Sequence, residues 1–476
     1  MKKEIVISYH DDNVRVALRE DEKLVEFYVE QEENSQKVGN IYKGKVKDIL
    51  PGMQAAFVDI GFSKNAFLYV GDILTNDRES NEEKIEKLLT PNQDILVQVT
   101  KEQMGTKGAR ITCNLTVPGR YLVLMPFNNY IGISRRIEDE YERNRLKSIA
   151  ERIKHQHYGI IIRTVAEGIA EEKLHKDLDF LLGLWSNIED NYKSYTSPSM
   201  VFSDLDLVGR ALRDLFDKQV DYLYIDDKTQ YNKIRNILSI KSPKLIDKVK
   251  LYTLKNPIFY QFGIDKELQK AFDRKIWLKS GGYLIIDQLE ALTVIDVNTG
   301  KFVGSKNLED TVIRTNIEAA AEICRQIRLR DLSGIIIIDF IDMPKDEHKE
   351  LILRLLEEEM KKDHTKGQIL GITQLGLVEI TRKKIRKGIY NAMQQKCPTC
   401  NGNGRLMNQF TENMFLEDKI KNYVFLNPSK AYKIKANCPK LRFLTDKKCQ
   451  LEEELNCHLI LEEIKKEDGF EIMAFD

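Results

Sequence analysis

The stretch "ALTVIDVNTGKFVG", residues 291–304, begins as a near-continuous apolar run of the kind that suits a strand buried on both faces. An aspartate and an asparagine then stand where more aliphatic residues would be expected. In a strand, residues two apart share a face, so Asp296 and Asn298 point the same way just before Thr299-Gly300 ends the run. A second apolar run, "GIIIIDF", carries Asp339 at its end. Between the two lies a helical pattern with Ile313, Ile317, Ala320, Cys324 and Ile327 along one face. Strand, helix, strand is a crossover unit and implies parallel pairing. Both carboxylates would then lie near the carboxyl edge of one sheet, where open α/β sheets bind ligands. One such Asp could cap a helix or tie a loop; two of them, with Asn298 alongside, point to a site.

Two charged carboxylates about 4 Å apart repel by about 4 kcal/mol at an effective dielectric near 20. Either one is protonated, as in an acid/base pair, or a cation lies between them. No histidine stands nearby at ligand spacing, and oxygen-only donors favour Mg²⁺ or Mn²⁺ over a soft metal. Such an ion polarises a phosphoryl oxygen and helps to generate an attacking hydroxide. The segment therefore points to metal-assisted phosphodiester hydrolysis, with Asp296 and Asp339 on the metal and Asn298 orienting a ligand or the scissile phosphate. Periodicity alone leaves an ordinary α/β hydrolase open.

A second constellation is "CPTCNGNG", with Cys397 and Cys400 two residues apart. Such a knuckle brings two thiolates to one Zn²⁺, but structural zinc takes four ligands. Cys438, Cys449 and Cys457 could complete the set within the chain, or a second chain could contribute its own pair. A redox pair is a third option, without the surrounding pattern that would support it.

These residues need elements to position them. The chain has 476 residues, 42% apolar and 31% charged, with zero net charge, which fits a soluble globular protein and argues against a uniformly basic coat. The N-terminus lacks the apolar run of a secretion signal, and no segment is long enough to span a membrane, so a cytoplasmic protein is expected. Residues 1–36 read as short strands too few to fold alone, which must pair with something later in the chain. Residues 37–117 hold five short strands, as in a small OB-type barrel, with a charged insert around residues 76–89. Residues 118–205 mix strands with two charged helices, and "SYTSPSM" reads as a boundary. Residues 206–275 are mixed, 276–396 are α/β and 405–476 form a small, weakly patterned domain. "TRKKIRKG", from Thr381, places five positive charges between Arg382 and Lys387 and could touch a phosphate backbone. The fold class is thus multidomain α/β plus all-β.

The segments "LTVIDVNTGKFVG", "TNIEAAAEICRQIRLRDLSGIIIIDFIDM" and "GLVEITRKK" resemble the catalytic core of the ribonuclease E/G family. The resemblance runs over almost the whole chain and is greatest to the family's short G-type members, which lack a long disordered scaffold tail. It implies a DNase I-like catalytic subdomain at 276–396 in which Asp296 and Asp339 hold catalytic Mg²⁺ and Asn298 assists. It implies an RNase H-like subdomain made of 1–36 and 206–275, and an S1 RNA-binding domain at 37–117 with Phe57, Phe67 and Lys107 on RNA. Composition alone would place both rings in the barrel core and Lys107 in a solvated loop. It implies a 5′-sensor at 118–205, where Gly119, Val123, Arg163 and Thr164, with Lys366 from the catalytic part, read a terminal monophosphate. Without it, Arg163 is a surface salt-bridge residue. At 397–404 it implies a zinc link, Cys397 and Cys400 sharing Zn²⁺ with a second chain in a homodimer or tetramer. The implied activity is Mg²⁺-dependent endonucleolytic cleavage of single-stranded A/U-rich RNA in ribosomal RNA processing and messenger decay. The rival reading is a non-catalytic S1-type RNA-binding protein.

Overall fold

The computed structural model describes residues 1–10, 13–31, 37–73, 84–103, 107–155, 157–300, 308–365, 367–384, 388–395, 397–400, 402–464 and 470–475. It forms two compact units, Met1–Gln394 and Gln395–Asp476. The fold is mixed α/β with a closed five-stranded barrel and four further sheets among the described residues. No helix among those residues is long and apolar enough to cross a membrane.

The N-terminal strands Lys3–His10, Asn13–Glu20 and Lys23–Gln31 form an antiparallel meander. Lys3–His10 then pairs in parallel with Tyr222–Ile225, which pairs with Val249–Leu251. The partner the first residues needed therefore lies about two hundred positions downstream. Its apolar residues are buried on both faces: Ile5 and Ile7 pack with the helix Leu207–Asp214, and Val6 packs with Phe27 and Phe259.

The barrel strands are Ile41–Leu50, Ala55–Asp59, Ala66–Tyr69, Asp94–Lys101 and Arg110–Thr112. The ring closes because Ile41–Leu50 pairs with Asp94–Lys101 as well as with Ala55–Asp59. Closure removes both edges, and the arrangement suits the OB type. The strand Ser199–Phe202, which starts at the end of the tract that reads as a boundary, adds antiparallel to Ile41–Leu50. Next comes a four-stranded sheet around Leu122–Met125 and Gly159–Ile162, backed by the helices Glu140–Ile153 and Glu171–Ser194.

The sheet that carries the aspartates runs in the order Lys275–Trp277, Tyr283–Gln288, Leu292–Asn298, Gly334–Asp339, Val378–Arg382, Gly367–Ile372. Only Leu292–Asn298 and Gly334–Asp339 pair in parallel; every other pairing is antiparallel. The helices Leu308–Arg330 and Asp346–Met360 both cover the same face, packing Ile323, Ile327 and Ile352 on Ile295, Ile336 and Ile338. Two expectations change here. The strands are covered on one face only, and Ile335 on the other is 49% exposed. On the crossover helix Ile317 also faces outward, while Ala320, Cys324 and Ile327 are buried.

The second unit has its own core. Helices Gln409–Leu426 and Cys438–Leu455 pack through Ile420 and Leu444 on Tyr432 and Ile434 of a three-stranded sheet. That sheet places Ala431–Ala436 between His458–Glu463 and Phe470–Phe475.

Candidate active site

The register of the one parallel pair sets the site. Asp296 stands directly opposite Asp339 on the neighbouring strand, and residues in register share a face about 4.8 Å apart. Both side chains lie on the uncovered face, flanked in sequence by the buried Ile295, Val297, Ile338 and Phe340. Asn298, two residues on, donates from Nδ2 to Asp296 Oδ2 at 2.8 Å. The strand ends there in a tight turn: Gly300 has φ +58° and a Cβ on it would sit 2.4 Å from the Gly281 carbonyl. Beyond Asp339, the buried Asn316 of the crossover helix clamps the loop, donating to the Ile341 carbonyl and accepting its N–H.

Among the described residues no lysine, arginine or histidine forms an ion pair with Asp296 or Asp339. Partial burial, then the charge of Asp296, then that of Asp342 raise the Asp339 carboxyl above the usual carboxylate range. Two carboxylates in register with no counter-charge among the described residues favour either a proton on one of them or a hard cation between them. The donor set fits Mg²⁺, which needs only one or two carboxylates and keeps several of its waters. No third His, Cys, Asp or Glu completes a metal cage among the described residues.

The four sensor candidates in the described residues lie together. Val123 pairs in register with Ile161, and Arg163 follows two residues later on the same face. Arg163 donates to the Gly119 carbonyl at 2.8 Å and to Asp214 Oδ1 at 2.6 Å. The Thr164 hydroxyl is 2.9 Å from that of Ser134. Gly119 admits no side chain, since a Cβ would meet Asp177 Oδ2 at 2.6 Å, and Asp177 accepts the backbone N–H groups of Tyr121 and Leu122. Arg136 of this layer donates to the Asp363 carbonyl, three residues before Lys366, which itself lies outside the described residues.

On the barrel, Phe57 and Phe67 are register partners with ring centroids 6.2 Å apart. Both are partly exposed, whereas their strand neighbours Ala56, Val58, Ala66 and Leu68 are fully buried. The rings therefore sit on the outside of the barrel and not in its core. Lys107 is exposed, two residues before Ala109, whose carbonyl accepts the Phe67 N–H.

In the second unit, backbone N–H groups of Cys400 and Thr399 directed at Cys397 lower its thiol to about 7. The N–H of Gly404 donates to Cys400 Sγ at 3.3 Å. Cys438, Cys449 and Cys457 do not join the pair in any three-donor group among the described residues. The pair would supply two of the four donors that a structural zinc takes.

The basic run needs correction at its first member. Arg382 is buried and donates to Asp363 Oδ2 and Asp331 Oδ1, both at 2.6 Å. Its charge is consumed inside the protein and cannot reach a phosphate. Residues 385–387 lie outside the described residues.

Residues 116–385 match the ribonuclease E/G family, and that span contains both aspartates, Asn298 and the sensor positions. This chain belongs to that family. Ribonuclease G of Haemophilus influenzae is 44% identical over 411 residues, 85% of this chain and 84% of the relative. Ribonuclease G of Escherichia coli K12 is 44% identical over 412 residues, with the same coverage. Ribonuclease E of a Nostoc species is 41% identical over 374 residues, 77% of this chain and 54% of the relative. In this ribonuclease E/G chain, sequence reading missed two contributors to the site. Asp342 was signalled by its three-residue spacing from Asp339 in "DFIDM", and Asn316 by being the polar residue on a helix face that turns out fully buried.

Proposed function

We propose that this chain is an Mg²⁺-dependent endoribonuclease that cuts single-stranded A/U-rich RNA and favours 5′-monophosphorylated substrates. That it is an endoribonuclease, a hydrolase of RNA phosphodiester bonds, follows from its family. The observation that supports metal-assisted cleavage is the in-register Asp296–Asp339 pair, exposed and without a counter-cation among the described residues. When bound, Mg²⁺ would polarise the scissile phosphate and supply a hydroxide at neutral pH. Asp296 and Asp339 would hold the ion. Asn298 fixes one Asp296 oxygen by its hydrogen bond, which leaves the other oxygen for the metal. Asn316 keeps the loop after Asp339 in place.

Single-stranded RNA would stack bases on Phe57 and Phe67, with Lys107 on a phosphate. Arg163 uses two of its five N–H donors on Gly119 and Asp214, so among the described residues three remain for a terminal phosphate. A monophosphate, with nearly two charges, would gain charge-assisted bonds there that a bare hydroxyl would not. Lys366 would add charge from the catalytic part. We further propose that Cys397 and Cys400 share Zn²⁺ with the same pair of a second chain, so that chelation dissociates the oligomer and leaves the barrel folded. Ribosomal RNA processing and messenger decay in the cytoplasm are the roles this activity would serve.

The test uses wild type and Asp296→Asn with a short A/U-rich 5′-monophosphorylated RNA, with and without Mg²⁺, and maps the product ends. Internal cuts that need Mg²⁺ and vanish in the variant are expected. Tight binding without cutting under any divalent ion would make this a non-catalytic RNA-binding protein.

A further inference from the structure

The uncovered face of the Asp296 sheet carries a second cluster. On the edge strand Lys275–Trp277, Ile276 is buried while Lys275 and Trp277 face the open side. Trp277 is the register partner of Tyr283, and Tyr283 is the partner of Asn298. In the next row Lys275 partners Ile285, Ile285 partners Asp296, and Asp296 partners Asp339. The aromatic row thus ends at Asn298, and the adjacent row from Lys275 ends at the carboxylate pair. At one strand spacing of about 4.8 Å per step, Tyr283 stands beside Asn298 and Trp277 about 10 Å from it.

The rings are held for use rather than packed away. Trp277 and Tyr283 meet edge to face with centroids 5.3 Å apart, and Trp277 is 58% exposed. Lys275 Nζ lies 4.1 Å from the Trp277 centroid and 3.6 Å from that of Tyr283, with no carboxylate partner among the described residues. A cation over two rings fixes their orientation. Sheet surfaces take single-stranded RNA in this way, with bases stacked on exposed aromatics and backbone phosphates on nearby cations. For folding alone, an open Trp on an edge strand is a liability, because it invites association.

We propose that Trp277 and Tyr283 stack a base of single-stranded RNA beside the scissile bond, with Lys275 contacting that nucleotide's phosphate. The subsite rests on the nuclease reading of Asp296 and Asp339, and would set which nucleotide lies next to the cut. It is separate from the barrel rings and would hold the strand across the metal site itself.

The chain has two tryptophans, and Trp185 is buried in another core, so Trp277 can be watched directly. Short single-stranded oligo(A) is titrated into full-length Asp296→Asn with Mg²⁺, following tryptophan emission and, separately, binding by anisotropy. Quenching that saturates with binding, and is absent in Trp277→Phe/Asp296→Asn, is expected. In the otherwise wild-type enzyme, Trp277→Ala should raise KM about tenfold with kcat little changed, as loss of a stacked base should. Trp277→Phe should recover most of that loss. Unchanged emission at saturating RNA, or a wild-type KM in Trp277→Ala, overturns the subsite. So does an emission shift that follows protein concentration without RNA, which would assign the face to a second copy. A wild type that binds RNA but never cuts it defeats the nuclease reading instead, and the emission titration still reads the subsite.

Discussion

The molecule gathers carboxylates in two different ways. Asp331 and Asp363 converge on the buried Arg382, and Glu20 and Glu26 converge on the buried Arg328. Asp296 and Asp339 converge on each other at the surface of the same sheet and have no cationic partner among the described residues. In the first case each charge is answered by a guanidinium, because an unanswered charge cannot remain in a core. In the second, water screens the repulsion enough for the fold to tolerate it, yet Asp339 is still held above its usual pKa. A charge balanced inside the chain serves the fold, whereas a register pair without a counter-charge among the described residues is the arrangement that the proposed metal would complete.

The sharpest way to break this contrast is to neutralise one member of each set. Asp296→Asn or Asp339→Asn should lower kcat by about 10⁴-fold, about 5.5 kcal/mol of transition-state stabilisation, if the metal is lost with the charge. Circular dichroism should show an unchanged fold. Arg382→Met should do the reverse. It strands two buried carboxylates and should cost about 3–5 kcal/mol of stability, seen as a lower urea midpoint, while protein that remains folded keeps its activity. If Asp339→Asn unfolds the protein, or Arg382→Met is as stable as wild type, the two sets are not different in kind.

Glu26 sharpens the buried side of the comparison. Burial alone would raise its pKa, but His364, Arg328 and the Tyr28 hydroxyl hold it at about 2. Its folded value is depressed, so its stabilisation is present above the ordinary value of 4.5 and is lost as pH falls towards 2. The loss should be on the order of 3 kcal/mol. Thermal melts between pH 5 and pH 2 should therefore fall less steeply for Glu26→Gln than for wild type, from a lower plateau at neutral pH.

How far the sequence carried each set differs for a physical reason. That Asp296 and Asn298 share a face, and that Asp339 closes the neighbouring strand, follow from a period of two and are legible. That Asp296 lies directly opposite Asp339 is a fact of register, which no single strand encodes. The run Ile335–Ile338 reads as buried throughout because it has no polar residue to mark the open face, yet Ile335 is half exposed. Arg382 was misread because five charges in six residues invite a surface reading. The counter-signal was present: Val378, Ile380 and Arg382 alternate onto one face, and that face is buried. Its partners, Asp331 and Asp363, come from other elements, so the ion pairs themselves were out of reach. The barrel was legible from its spacing of strands, while the exposure of Phe57 and Phe67 depended on which side of the closed barrel each ring took.

The smallest expected effect is the one that speaks most directly to the exposed pair. A carboxylate whose folded pKa is raised binds its proton more tightly than the unfolded chain does. Its contribution is therefore favourable below the ordinary value and is lost as pH rises through the folded value. At neutral pH and without divalent ions, Asp339 should thus be a slight burden, worth less than about 1 kcal/mol because the side chain is mostly in water. Asp339→Asn should melt at the same temperature as metal-free wild type or a little above it. Mg²⁺ reverses the balance, since it binds the folded pair and not the unfolded chain, adding about 1.4 kcal/mol at ten times its Kd. The melting temperature of wild type should then overtake that of Asp339→Asn, which should barely respond. Equal responses to Mg²⁺ in the two proteins would mean that the ion binds elsewhere, and that the carboxylate pair is not what the open face is built to fill.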